Sequence, residues 1–317
     1  MNIKSSALSI IKKIVGTKGY ILLSPHEKKH IENTLQLASF RRWDDAKTNG
    51  INSIIFSKDR AMQLNAFIES YFEKVKNPGK LFVLYTCSNH HNESYKSLQE
   101  IHKDKKIEWV FESDFKQQLI DIIQTNSCRN IIFYVDDMIF AMDIDYARLE
   151  QIDCQKYVLA LSRGKNLTYS TVLNTTQKLP QLTRYDNELY EFSWKEIPYL
   201  SDWSYPTGVS AYMYDRQELI NILDHVNFKA PNSLEAAICE FMPAFFERKG
   251  LCLEYMACVC VHANIVQQEC NNPILGFFST EELLDLWMKG YKIDCHKFYE
   301  IYNSEKIPLT KYQFVKR

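Results

Sequence analysis

From Ile51 onward, short apolar runs alternate with helix-length segments, and this alternation limits the fold of the 317-residue chain more than any other feature. Ile51 to Phe56, Leu81 to Cys87, Ile107 to Phe111 and Ile131 to Val135 read as strands. Ala61 to Val75, Asn92 to His102 and Phe115 to Gln124 read as the helices between them, with a short helix near Asp143 to Gln151 and a further strand at Tyr157 to Leu161. Buried parallel strands appear as continuous apolar runs, and parallel neighbours need crossovers long enough to hold a helix. The pattern therefore predicts right-handed βαβ units, an α/β fold with a Rossmann-type, mainly parallel sheet flanked by helices.

Ligands of open α/β sheets collect beyond the carboxyl ends of the strands. The fourth strand ends there in two adjacent carboxylates, Asp136 and Asp137. Hard divalent cations such as Mg²⁺ and Mn²⁺ take carboxylate and water oxygens and complete their shell with substrate phosphates, so one or two acids at a strand end suffice. A turn or helix cap would also favour Asp. The first strand ends in Ser57-Lys58-Asp59-Arg60 and the second in Ser88-Asn89-His90-His91, which brings polar groups from three strands to one rim. Neither GxGxxG nor GxxxxGK[ST] occurs, which disfavours dinucleotide-binding Rossmann enzymes and P-loop NTPases.

Charge and cysteine usage narrow the partners. With 38 basic and 39 acidic residues the net charge is −1, so no general attraction to nucleic acid is expected. Nine cysteines, an odd number without CxxC spacing, fit reduced thiols in a cytoplasmic protein. No apolar run is long enough for a membrane span, and the N-terminus lacks a secretory pattern. Residues 6–15 are amphipathic with Lys12 and Lys13 on the polar side. They read as a short packed helix or as a peripheral contact with the inner face of a membrane. Residues 1–50 form a polar, helical N-terminal extension.

The second half is patterned differently. Residues 166–203 are polar and aromatic with little periodicity, as in long substrate-shaping loops. Helices are expected at Arg216 to Val226, at Ser233 to Arg248 with an interruption at Pro243, and at Thr280 to Lys289; Leu251 to Val261 is an apolar stretch.

Phe56-Ser-Lys-Asp-Arg60 with Gln63-Leu64, the three βα units, the Asp136-Asp137 pair and Asp202-Trp-Ser-Tyr-Pro206 together resemble bacterial nucleotide-sugar glycosyltransferases of the GT-A fold, of the DxD type and family 2-like. The resemblance covers residues 51–270. It implies a nucleotide-binding half at 51–162, an acceptor half at 163–270 and a C-terminal helical tail at 271–317. In that fold the acidic pair binds the ribose and, through a divalent metal, the diphosphate of a sugar donor. Carried over, Asp137 is the principal Mn²⁺ or Mg²⁺ ligand, Asp136 approaches the ribose or metal, and Ser57, Asp59 and Arg60 meet the nucleotide. A late histidine often adds a metal ligand, a position that His262 would fill.

An acceptor hydroxyl needs a base if it attacks the anomeric carbon directly. Glu235, near a helix start, is the first candidate, and Asp202 is a second carboxylate. Trp203 and Tyr205 suit stacking on sugar faces, though such aromatics equally anchor loops to a core. Arg163 and Lys165 could reach a diphosphate, or belong to a solvated basic loop. Cys258, Cys260 and His262 would share one face of an extended segment. That allows a zinc site completed by Cys270 or His296, although this spacing encloses a tetrahedral ion poorly. The chain departs from the resemblance at Ser210-Ala211, where an acidic residue and glycine are often found.

The leading expectation is a metal-dependent, hexosyltransferase-type enzyme moving a sugar from a UDP-sugar donor to a carbohydrate or lipid-linked acceptor in surface glycan synthesis. A metal-dependent phosphotransferase or phosphohydrolase, and a catalytically silent binding module, are the alternatives.

Overall fold

The computed structural model describes residues 23–39, 49–171, 173–197, 200–264, 278–302, 304 and 312–317. The amphipathic stretch 6–15, the charged run 41–47 and Cys270 lie outside them.

The predicted βα alternation is present. Strand β1 (Ile51–Lys58), helix α2 (Ala61–Lys74), β2 (Leu81–Thr86), α3 (Asn92–Ile101), β3 (Ile107–Phe111), α4 (Phe115–Thr125) and β4 (Asn130–Val135) follow one another, preceded by α1 (Pro25–Ser39). Seven of the eight β1 residues are buried, as befits a strand covered on both faces. The second half contributes β6 (Tyr157–Gly164), β7 (Thr183–Arg184), β8 (Leu189–Ser193), β9 (Tyr212–Asp215) and β10 (Lys249–Leu253) to the same sheet. Its nine strands run in the order β7-β8-β10-β6-β9-β4-β1-β2-β3, with β8 and β9 opposed in direction to the other seven. The fold is thus mixed α/β with a large, mainly parallel central sheet flanked by helices.

Strand β9 was not legible in the sequence. Tyr212 to Asp215 is too short to show a period, yet it wedges antiparallel between β4 and β6, with Tyr212 opposite both Phe133 and Ala160. Ala211, which leads into it, is fully buried in the left-handed backbone region at φ +66°. Strand β6 also runs further than expected, through Gly164, so Arg163 is a strand residue. A Cβ at Gly164 would fall 2.2 Å from the Met256 amide nitrogen, so only glycine admits the neighbouring backbone.

Pro243 divides the long helix as expected, into α6 (Pro231–Cys239) and α7 (Met242–Phe246), behind α5 (Arg216–His225). Helix α1 is tied to this region by the Asn33 amide, which donates to the Glu240 carbonyl at 3.0 Å.

Residues 251–261 form two strands. The chain leaves the main sheet after β10 and pairs antiparallel, as β11 (Cys258–Cys260), with β5 (Met138–Phe140), which directly follows the acidic pair. This places Cys260 opposite Met138 and carries His262 and Asn264 past Asp137, with the Val261 amide donating to the Asp137 carbonyl at 2.8 Å. Residues 278–317 hold helix α8 (Thr280–Met288) and then a strand pair, Tyr291–Ile293 with Phe314–Lys316. No helix among the described residues is long and apolar enough to cross a membrane.

Candidate functional site

A cavity of about 630 Å³ opens at the carboxyl ends of β1, β2 and β4. Ser57, Lys58 and Arg60 after β1, Asp136 and Asp137 after β4, Glu235 on α6, and Cys260, His262 and Asn264 from β11 onward all line it. Residues more than 200 positions apart therefore share one wall.

Arg60 organises the acidic side. Its Nη1 lies 2.9 Å from Asp136 Oδ1 and 3.3 Å from Asp137 Oδ2, with all three side chains about nine-tenths buried. Asp136 Oδ2 accepts from the Ser57 hydroxyl at 2.9 Å and the Lys58 amide at 3.2 Å. Ser57 in turn receives the Tyr95 hydroxyl at 2.7 Å, and that oxygen accepts the Arg60 amide. Burial raises the Asp136 carboxyl above its usual range, and Arg60 pulls it back. Burial pushes the guanidinium down, but the two carboxylates more than restore its charge. Both oxygens of Asp136 are thus committed to protein donors, leaving Asp137 as the carboxylate of the pair better placed for a ligand.

His262 stands beside it, Nδ1 being 3.9 Å from Asp137 Oδ2. It lies beyond the end of β11 in the left-handed region at φ +40°, so the one-face alternation with Cys258 and Cys260 breaks down before it. The zinc reading fails on this geometry: Cys258 is fully buried, and no cluster of three or more metal-ligating side chains occurs among the described residues. His296 instead contacts Asp294 and Glu73.

Glu235 faces the cavity from the fifth residue of α6, just past its first turn. Burial lifts its carboxyl to about 7, against a hydrogen bond from Tyr205 that favours the charged form. The Tyr205 hydroxyl also lies 2.7 Å from Cys239 Sγ, one turn further along α6. Ser210 lines the same cavity, so the departure at Ser210-Ala211 places a hydroxyl in the wall.

Six expected contacts fall outside the cavity wall. Asp59, at φ +53°, turns away and accepts the Ser88 amide at 2.7 Å, joining the ends of β1 and β2. Arg163 is buried between the Trp194 and Tyr212 rings and donates to the carbonyls of Asp202 and Tyr205, both at 2.6 Å. Lys165 pairs with Glu254 at 2.9 Å and lies over Tyr190. These cations are held by neighbours outside the cavity wall. Asp202, the second candidate carboxylate, lies outside the cavity wall and anchors its loop by accepting from Ser170 and Gln177 at 2.9 and 3.0 Å. Trp203 is fully buried, its indole donating to the Leu167 carbonyl at 3.0 Å, so it cannot stack on an acceptor. Tyr205 does not line the cavity, its hydroxyl lying against Cys239 on α6.

Asn264 is the principal residue that sequence reasoning missed. Its only trace was a place in the alternate-residue series Cys258, Cys260, His262, Asn264. Lys58, Glu112 and Lys229 also line the cavity, and burial raises the Glu112 carboxyl.

No family profile matches the chain. In sequence it is 25% identical, over 297 residues covering 80% of this chain, to the bifunctional glycosyltransferase pgtA of Dictyostelium discoideum. The chain spans only 37% of that protein's length. Among solved structures, S. aureus TarS 1–349 in complex with UDP aligns with 63% of this chain and 57% of its own, at 10% identity and a TM-score of 0.40. The mannosyltransferase PcManGT from Pyrobaculum calidifontis, in complex with GDP-Man and Mn²⁺, aligns with 43% of each chain at 12% identity and a TM-score of 0.29. Across most of its length the sequence is glycosyltransferase-like.

Proposed function

We propose that this chain is a metal-dependent glycosyltransferase that moves a sugar from a nucleotide donor, a UDP-sugar in our reading, to a carbohydrate or lipid-linked acceptor in surface glycan synthesis. The observation that carries the reading is one cavity joining the acidic pair and His262 on one side to Glu235 on the other. The glycosyltransferase-like sequence supports it independently.

Asp137 and His262 fit a divalent cation of the Mg²⁺ or Mn²⁺ type, as a carboxylate and an imidazole 3.9 Å apart whose remaining partners would be water and phosphate oxygens. Bound there, the cation would neutralise charge gathering on the departing nucleoside diphosphate. The buried network of Arg60, Asp136, Ser57 and Tyr95 holds Asp137 in place, because each of its hydrogen bonds restricts the strand-end backbone. Lys58 and Lys229 add positive charge to the wall.

Glu235 supplies the base. A carboxylate with a pKa of about 7 can take a hydroxyl proton near neutral pH and still be half charged beforehand. In a direct displacement the acceptor oxygen bonds to the anomeric carbon, its proton passes to Glu235, and the bond from that carbon to the diphosphate breaks with its electron pair leaving on the phosphate.

Calorimetry with UDP, GDP and CMP, each with and without Mn²⁺, tests the reading. Nucleotide binding that strengthens with Mn²⁺ is expected, and absence of any metal-dependent binding would overturn it.

A further inference from the structure

Asn264 carries a hydrogen-bond donor that the protein leaves unused. Its side-chain Oδ1 receives Arg60 Nε at 2.9 Å and Gln63 Nε2 at 3.2 Å. The guanidinium only donates, so the Asn264 amide cannot be flipped without setting its NH₂ against Arg60 Nε. Its backbone carbonyl receives a second Arg60 nitrogen. Orientation is thereby fixed, and Nδ2 has no partner although the residue is only 7% exposed and lines the cavity. Leaving such a donor unmet forfeits its hydration without return, and a buried orphan in a cavity wall calls for a ligand that meets it.

The surroundings select the ligand group. Arg60 is already committed to Asp136 and Asp137, so what remains for a ligand at this spot is the uncharged Nδ2 amide, which suits a neutral oxygen. A hydroxyl is neutral and can do two things at once: accept from Nδ2 and donate its own proton to the Asp137 carboxylate, which flanks the same guanidinium. We propose that Asn264 is a ligand-binding residue whose Nδ2 donates a hydrogen bond to a hydroxyl oxygen of the bound nucleotide-sugar. The inference rests on the glycosyltransferase reading. The hydroxyl belongs either to the ribose or to the transferred sugar, and the test separates them.

Asn264→Asp keeps an oxygen for Arg60 and Gln63 and replaces only the donor; Asn264→Ala removes the group without adding charge. Each full-length variant is titrated, with Mn²⁺ present, against UDP, 2′-deoxy-UDP, 3′-deoxy-UDP and a set of UDP- and GDP-linked hexoses, after its melting temperature has been compared with wild type. Both variants are expected to bind the preferred nucleotide-sugar at least tenfold more weakly. If the ribose is read, wild type favours UDP over a deoxy analogue and the variants lose that preference. If the sugar is read, wild type favours the nucleotide-sugar over the free nucleotide and the variants equalise the two. Folded variants that bind every probe within twofold of wild type would overturn the proposal alone. A wild-type chain that binds no probe would sink the underlying reading and the proposal with it.

Discussion

The Arg60 guanidinium lies 2.9 Å from a carboxylate oxygen of Asp136, a buried ion pair between the end of the first strand and the end of the fourth. Charged groups so deep in a protein persist only when each is compensated, so the pair is a structural clamp beneath the cavity. Removing one partner leaves the other unmet.

Arg60→Met is accordingly expected to destabilise the fold by about 3–5 kcal/mol, since it strands Asp136 in a buried position. Urea denaturation at pH 7 measures this. Arg60→Met with Asp136→Asn should recover part of the loss, because the second substitution removes the stranded charge.

Asp137→Asn keeps an acceptor beside Arg60, which stays paired with Asp136, so it should cost much less stability than Arg60→Met while lowering metal-stimulated turnover of the donor by at least about 100-fold, the scale of losing a principal electrostatic group. Slow donor hydrolysis with and without Mn²⁺ provides the assay. If turnover remains stimulated by metal, the ion is held elsewhere.

Glu235 ties stability and activity to pH in opposite directions. Its folded pKa of about 7 exceeds the ordinary carboxyl value, so between pH 4.5 and 7 the folded chain binds the extra proton. This stabilising contribution is complete below the unfolded value and fades as pH rises through about 7. Denaturation from pH 4 to 8 should show Glu235→Gln gaining about 1–3 kcal/mol relative to wild type across that window. Transfer activity needs the charged form, so wild-type rate should rise toward a plateau above pH 7, and the variant should lose that limb.

Trp203→Ala should cost about 3–5 kcal/mol by opening a cavity in the core. Trp203→Phe, which keeps most of the packing against Phe192, should cost less and leave the acceptor KM within a few-fold of wild type. A large change in acceptor KM at unaltered stability would return Trp203 to the sugar site.

Much of the fold was legible because its cause is local. Continuous apolar runs such as Ile131 to Val135 mark strands buried on both faces, and each helix between them is long enough to show its period. Strand β9 escaped because four residues carry no period, and its partners Phe133 and Leu159 lie 50 or more positions away. The division of Leu251 to Val261 escaped for a related reason: one apolar run serves two sheets, and only the partners distinguish them.

The candidate site divides along the same line. The sequence by itself determined that Ser57, Arg60 and Asp136-Asp137 meet at one rim, because strand ends in a parallel sheet lie side by side. It also made Glu235 the first candidate for a base through its place near a predicted helix start, and the structure sets that residue in the cavity wall. Only the tertiary structure decided that Asp136 is occupied by Arg60 while Asp137 faces His262, and that Asn264 presents an unused donor. Only it turned Trp203, Arg163 and Lys165 away from the cavity, because aromatic and cationic loop residues have the same composition whether they face a sugar or hold a loop to the core. Side-chain direction is set by which distant carbonyl, ring or carboxylate arrives beside each residue, and that is a property of packing.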